Sequence, residues 1–233
     1  MHWFFDPEIS STSEKVTKSE VQHFASLRIR TGDEIVITNG QGLALVFEVA
    51  DPKSGALIFH REIPVKASLP VIHLVQALAK GDRDELAVQA AVELGISSVT
   101  PWQAENSISN WSGKEKKGQE RWRQIVISAL KQSQQAFLPG VHELAKTHQL
   151  SPRGTGVLLR PDAGVALSDL DTEVGEFTVV VGPEGGISPA EIEALEANGF
   201  VSYRLGASVL RTSTAGPAAI AAIQALSGAW SNA

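Results

Sequence analysis

Val179-Val180-Val181-Gly182-Pro183-Glu184-Gly185-Gly186-Ile187-Ser188-Pro189-Ala190-Glu191 decides how this chain folds. Three consecutive valines read as a strand buried on both faces, the pattern of a sheet covered by helices on either side. The glycines Gly182, Gly185 and Gly186 let the backbone approach a ligand closely or adopt positive φ. A well-signalled helix start follows: Ser188 is a good N-cap, Pro189 suits the first helical position, and Glu191 stands where a capping box places its carboxylate. Ile192 and Leu195 give that helix an apolar edge, Asn198-Gly199 stops it, and a second strand is expected around Tyr203 to Leu205. Strand, glycine loop, helix, strand is the grammar of an α/β layer carrying a ligand site built from backbone groups.

An isolated glycine loop reads equally well as a tight strand-to-helix turn without a ligand. The phosphate-cradling pattern G-x-x-x-x-G-K-[ST] is absent, no lysine lies between Gly154 and the C-terminus, and the spacing does not make G-x-G-x-x-G. Such a loop presents backbone donors and acceptors suited to a nucleoside more than to a triphosphate.

Outward from this stretch, the second half of the chain reads as further α/β units. Residues 71–75 look like a buried strand, Lys80-Gly81-Asp82 a turn, 85–94 a helix closed by Gly95, and a short strand runs to Thr100. Residues 119–134 place Trp122, Ile125, Val126, Ala129, Leu130 and Ser133 at helical spacing, which leaves Arg121, Arg123, Gln124 and Lys131 to point elsewhere. Gly156-Val157-Leu158-Leu159 is the next buried strand, with Arg160 at its C-terminal end. Ligands collect at strand C-termini in open α/β sheets, so Leu159 and Arg160 fall beside the glycine loop if the two strands are neighbours. The last helix spans about 213–227 and starts no earlier than Thr212, because Pro217 is tolerated only in a first turn.

The 233 residues, 43% of them apolar, are enough for one large or two small domains with a proper core. No cysteine is present, which excludes disulfides and thiolate metal sites, and no metal is expected. No signal peptide and no membrane-spanning apolar run is visible, so a soluble cytoplasmic protein is expected. The formal net charge is −6, yet residues 102–131 hold six Lys or Arg against three Asp or Glu, while residues from 160 onward hold three against nine. Basic charge is thus concentrated mid-chain, where it forms either a polyanion-binding patch or a solvated helix face.

Residues 1–66 read as a small β-rich domain. Ile35-Val36-Ile37 and residues 43–49 flank Asn39-Gly40-Gln41-Gly42, a hairpin signal, and Ala56 begins another strand. With seven Lys or Arg against nine Asp or Glu, this domain is no obvious polyanion binder.

Gly182 to Ile192 (G-P-E-G-G-I-S-P-A-E-I) and Leu205 to Ala215 (L-G-A-S-V-L-R-T-S-T-A) closely resemble the two C-terminal motifs of the RsmE family, the 16S ribosomal RNA uridine N3-methyltransferases of the SPOUT superfamily. Lys80-Gly81-Asp82, followed by Leu86, Gln89, Ala90, Glu93-Leu94-Gly95 and Pro101, resembles that family's K-G-D…E-L-G…P segment. His23, Leu27-Arg28 and Gly32-Asp33 resemble its H-x-x-x-L-R…G-D segment. The resemblance implies an N-terminal PUA-like RNA-binding barrel over 1–66 and, over 70–233, a SPOUT domain whose C-terminal chain forms a trefoil knot, an exception to the rule against knots.

It also implies S-adenosylmethionine as cofactor, 16S rRNA or the small ribosomal subunit as partner, and a homodimer through the SPOUT domain. The cofactor would be held around Leu159, Gly182, Pro183, Gly185, Gly186, Leu205 and Gly206, with Val209 and Leu210 as apolar walls and Thr212 at the next helix start. His23, Arg28, Arg30, Lys80, Arg121 and Arg123 are the candidate RNA contacts. Where the family pattern reads E-R-S and E-Q-S-x-R, this chain has Glu105-Asn106-Ser107 and Lys131-Gln132-Ser133-Gln134-Gln135, so two arginines are missing or displaced.

Uracil N3 carries a proton and is a poor nucleophile until it is lost. Arg211, always cationic, is the candidate to offset charge on the uracil carbonyl oxygens, and Glu184 is the nearest carboxylate able to accept a proton or orient the cofactor. A helix-dipole role for Glu184 is the competing reading. Two other functions remain open: a SPOUT methyltransferase with another target, such as a ribose 2′-hydroxyl, and an RNA-binding assembly factor without catalysis.

Overall fold

The computed structural model describes residues 1–67 and 69–232, which form two compact units. Met1–Ala67 together with Leu130–Leu138 make the first, and the remaining described residues make the second.

In the first unit, β1 (His2–Phe5), β2 (Glu34–Thr38), β3 (Ala44–Asp51) and β4 (Ala56–Ile63) form a four-stranded sheet in sequence order, with α1 (Lys18–Leu27) between β1 and β2. The expected hairpin pairs Thr38 with Ala44 and Glu34 with Glu48, and Asn39 Oδ1 accepts from the Gln41 and Leu43 amides to shape its turn. One face of the sheet buries Phe4, Phe24, Ile35, Ile37, Leu45 and Phe47. Another cluster joins Val36, Ala44 and Val46 to Ala136, so the segment after residue 129 contributes to this unit's core. The buried ion pair from Lys131 Nζ to Glu20 Oε1 (3.0 Å) ties that segment to α1. Lys131 was expected on a helix face turned away from packing, and its side chain is only 11% exposed.

The second unit is a seven-stranded, wholly parallel sheet. Its strands are β5 (Val71–Ala77), β6 (Ser98–Trp102), β7 (Gly140–Val141), β8 (Thr155–Leu159), β9 (Val165–Ala166), β10 (Glu176–Val181) and β11 (Phe200–Arg204), in the order β7-β6-β5-β10-β8-β11-β9. Four helices accompany them: α2 (Arg83–Glu93), α3 (Glu115–Gln132), α4 (Pro189–Ala197) and α5 (Thr212–Leu226). The valine run is the central strand β10, its last five residues buried, paired with β5 on one side and β8 on the other. Ser188 caps α4 with the expected capping box: its hydroxyl accepts from the Glu191 amide and the Glu191 carboxylate accepts from the Ser188 amide, both at 3.3 Å.

One expectation fails on the last helix. α5 begins at Thr212, which puts Pro217 in its second turn and not in its first. The missing N–H deletes the helical bond to the Ser213 carbonyl, near the helix start where a half-exposed residue can hand that carbonyl to water. Among the described residues, no helix is long and apolar enough to cross a membrane.

Candidate functional site

The parallel order places the C-terminal ends of β8, β10 and β11 side by side, and the loops leaving them enclose a cavity of about 480 Å³. Strand pairing between β8 and β10 brings Leu159 and Arg160 to the glycine loop. From that loop come Gly182, Pro183, Glu184 and Gly186. The segment after β11 adds Leu205, Gly206, Val209 and Leu210, and the start of α5 adds Arg211 and Thr212. Ile187 and Ile192 complete an apolar wall.

Gly185 is brought to the site but does not line the cavity. Its Cα faces residue 106: a β-carbon there would lie 2.9 Å from Asn106 Cβ and 3.1 Å from the Asn106 carbonyl oxygen. Asn106 Nδ2 donates to the carbonyls of Gly186 (3.1 Å) and Gly185 (3.3 Å). The residue standing where an arginine was expected therefore holds the loop that shapes the cavity. Glu191 adds a second tether: one oxygen accepts from the Glu105 amide (2.9 Å) and from Thr147 Oγ1 (2.8 Å), while the carboxylate also closes the capping box. This buried carboxylate therefore anchors α4 and the 104–107 segment together.

Charges at the rim are unequal in their commitments. Arg160 is spent on Asp162, with Nη2 to Oδ2 at 2.7 Å and Nε to Oδ1 at 3.2 Å, and this pairing lowers the Asp162 carboxyl below its ordinary value. Glu184 Oε1 accepts from the Lys80 amide and from Arg83 Nη1, each at 3.2 Å, with its side chain 21% exposed. Those bonds pin the glycine loop to the Lys80-Gly81-Asp82 turn. The Arg211 side chain, by contrast, is exposed and has no hydrogen bond or ion pair among the described residues, while its carbonyl accepts from the Thr214 (2.8 Å) and Ala215 (2.9 Å) amides. Thr212 is buried, and its hydroxyl donates to the Gly182 carbonyl at 2.9 Å.

The candidate RNA contacts divide between the two units. In the first, His23 is half-buried with its ring edge-on to Phe4 (5.9 Å), Arg28 caps α1 in a left-handed conformation, and Arg30 is exposed. In the second, Lys80 and Arg123 are exposed, whereas Arg121 is drawn onto α2 by Glu85 (2.7 Å) and Asp82 (3.2 Å), which raises its pKa and keeps it charged. Nearby, Trp111 packs edge-on to the buried Trp122 and lies across Gly118, where a β-carbon would collide with its ring.

Residues 66–224 match the family model of an RNA methyltransferase domain. Over 221 residues, covering 89% of this chain and 84% of the relative, the sequence is 38% identical to the ribosomal RNA small subunit methyltransferase E of Mycobacterium bovis. The chain belongs to the ribosomal RNA small subunit methyltransferase E family. The Bacillus subtilis family member is 30% identical, with 89% of this chain and 88% of that protein covered. Structurally, the chain is similar to the Neisseria gonorrhoeae family member bound to S-adenosyl methionine, with a TM-score of 0.88, 30% identity, and 97% and 98% of the two chains covered.

Asn106, Glu191 and Thr147 were missed as site-shaping residues by sequence reasoning. For Glu191 the signal was present, but the capping box explained it fully and hid its other two partners. Asn106 was noticed only as a departure from the family pattern.

Proposed function

We propose that this protein is an S-adenosylmethionine-dependent methyltransferase acting on N3 of a uridine in 16S rRNA of the small ribosomal subunit. The observation that carries the reading is the cavity at the strand C-termini, with backbone-rich walls and an uncommitted arginine at its rim. Its volume of about 480 Å³ falls within the usual range, roughly 300–1,000 Å³, of cofactor-sized pockets. Its donor set also fits a nucleoside cofactor: backbone groups of Gly182, Gly186, Leu205 and Gly206 beside apolar Ile187, Ile192, Val209 and Leu210. Gly206 has no protein atom within 4 Å of where a β-carbon would stand, which leaves room for a ligand against its backbone.

When bound, the cofactor supplies an electrophilic methyl group. Arg211 offsets negative charge gathering on the uracil carbonyl oxygens as N3 gives up its proton, an electrostatic role worth most in a site that excludes water. Glu184 is positioned through Oε1, which accepts from the Lys80 amide and the Arg83 guanidinium, and its Oε2, without a hydrogen bond among the described residues, is the acceptor assigned to that proton. Pro183 and Leu159 contribute shape, and Thr212 contributes its methyl group, its hydroxyl proton being committed to Gly182. Gly185 acts from behind, as the contact surface for Asn106.

The same reading includes a trefoil knot over the C-terminal segment and a PUA-like barrel in the first unit. The return of α5 from β11 to pack on β10 and β5 supports the knot, and the four-stranded sheet supports the barrel. RNA contacts are assigned to His23, Arg28 and Arg30 of one unit and to Lys80, Arg121 and Arg123 of the other. A homodimer through the second unit is supported by exposed Val209, Leu226 and Trp230, apolar side chains that a partner copy would cover. A cytoplasmic location belongs to the same reading.

Incubating the protein with radiolabelled S-adenosylmethionine and small ribosomal subunits lacking the modification tests the proposal. Label in the RNA is the expected outcome. Cofactor binding without label transfer would leave the assembly-factor reading in its place.

A further inference from the structure

Gln76 is the sixth residue of β5, fully buried, and it lies outside the cavity lining. Its Nε2 donates to the Ala77 carbonyl at 3.1 Å and to Thr212 Oγ1 at 2.9 Å. A carbonyl can only accept, so the nitrogen of the Gln76 amide must be the atom that faces Ala77, and the orientation of the side chain follows. Thr212 Oγ1 then accepts from Gln76 and keeps its single proton for the Gly182 carbonyl at 2.9 Å. The direction of the relay is fixed throughout: Gln76 donates to Thr212, and Thr212 donates to Gly182.

The relay crosses the base of the cavity. Thr212 opens α5 and Gly182 opens the glycine loop, so two segments that both line the cavity are joined through one hydroxyl. Gly216 permits the approach. A β-carbon on it would lie 3.3 Å from both Leu74 Cδ1 and Val181 Cγ2, and 3.7 Å from Gln76 Oε1. That Oε1 atom is buried without a hydrogen-bond partner. A leucine would fill the position without an orphaned acceptor, so what glutamine adds at this point is its donor, aimed at Thr212.

We propose that Gln76 is a positioning residue for the cofactor cavity, holding the Thr212 hydroxyl on the Gly182 carbonyl and thereby setting the separation of the glycine loop from the first turn of α5. The inference rests on reading that cavity as the S-adenosylmethionine site. It also implies that the Thr212 proton, already given to Gly182, is not among the groups that recognise the ligand.

The test is a double-mutant cycle of Gln76→Leu and Thr212→Val, read by calorimetric titration with S-adenosylmethionine and by amide hydrogen exchange of the ligand-free protein. Each single substitution is expected to weaken binding about tenfold, and the double variant also about tenfold, because both remove links of one relay. Thr212→Ser, which keeps the hydroxyl, is expected to restore affinity to within about threefold. In Gln76→Leu, exchange should quicken over residues 181–187 and 210–216 and stay unchanged in the first unit.

Additive losses approaching a hundredfold, or a Gln76→Leu protein with native affinity and native exchange, would overturn the proposal. If the native protein binds no S-adenosylmethionine, the cavity assignment falls, and exchange alone decides the relay: quickening in both segments supports it and no change refutes it. Should Gln76→Leu not fold, Gln76→Met, closer to glutamine in length, carries the same measurements.

Discussion

Two glycines of one cavity should answer an added methyl group in opposite ways. At Gly182 the φ angle is not left-handed, so alanine is acceptable to the backbone, but its β-carbon would lie 2.5 Å from Ile187 Cγ1 and 3.1 Å from Ile187 Cδ1. Carbon atoms rest at roughly 3.5–4.0 Å, so the Ile187 side chain must retreat by about 1 Å. The Ile187 amide nitrogen, at 3.8 Å, need not move. Because Ile187 also lines the cavity, the open direction for its retreat is into the ligand space. Relief of that kind holds the folding cost near the low end of overpacking, about 1–2 kcal/mol. The intrusion should weaken S-adenosylmethionine binding by roughly ten- to a hundredfold, which corresponds to about 1.4–2.8 kcal/mol.

At Gly206 the added carbon meets no protein atom within 4 Å and the φ is again not left-handed. Gly206→Ala should therefore leave unfolding in urea within about 0.5 kcal/mol of the native protein, while its affinity drops because the methyl group occupies space assigned to the ligand. Urea unfolding and calorimetric titration of both variants make the comparison. A Gly182→Ala protein of native affinity, or a Gly206→Ala protein as destabilised as Gly182→Ala, would refute the reasoning.

Three further outcomes are expected. Arg211→Ala should keep the fold and cofactor affinity but lose about 10²- to 10³-fold in methyl transfer under single-turnover conditions, and unchanged turnover would remove Arg211 from the mechanism. Lys131→Met should cost about 3 kcal/mol in urea unfolding by stranding the Glu20 carboxylate, whose side chain is 8% exposed, and the double variant Glu20→Leu/Lys131→Met should recover most of it. Partial burial, together with the positive charge of Arg153, lowers the pKa of His142. Below the ordinary histidine value of about 6.5 the unfolded chain then takes up a proton that the folded chain resists, so stability falls as pH drops through that window. Replacing His142 with Gln should flatten the fall in a pH series of urea midpoints.

Local signals were legible in the sequence because local physics decides them. The valine run, the Ser188–Glu191 capping box and the Asn39–Gly42 turn each depend on residues within a few positions, and each stands as read. Leu159 and Arg160 were expected beside the glycine loop on the condition that their strand neighbours the valine run, and the pairing of β8 with β10 meets that condition. What escaped were pairings between distant positions. Lys131 looks like any solvent-facing helix lysine until Glu20, 111 residues away, takes it. Thr17 and Glu20 even carry a capping-box spacing, yet Thr17 makes no side-chain cap and Glu20 turns to Lys131 instead. Gln76 sits in an apolar strand where a glutamine has no local meaning, and its partner Thr212 lies 136 residues on. In the candidate site, the glycines and Arg211 were readable from the loop motifs, whereas the Asn106 and Glu191 tethers depend on how the 104–107 segment crosses the loop.

The most direct test of the central claim is nucleoside mass spectrometry on RNA from small ribosomal subunits that lack the modification, before and after incubation with this protein and S-adenosylmethionine. The expected result is that 3-methyluridine appears in the 16S RNA, with no new 2′-O-methylated nucleoside beside it. A ribose-methylated product would keep the cavity and contradict the assigned target, and the absence of any new methylated nucleoside would contradict the account itself.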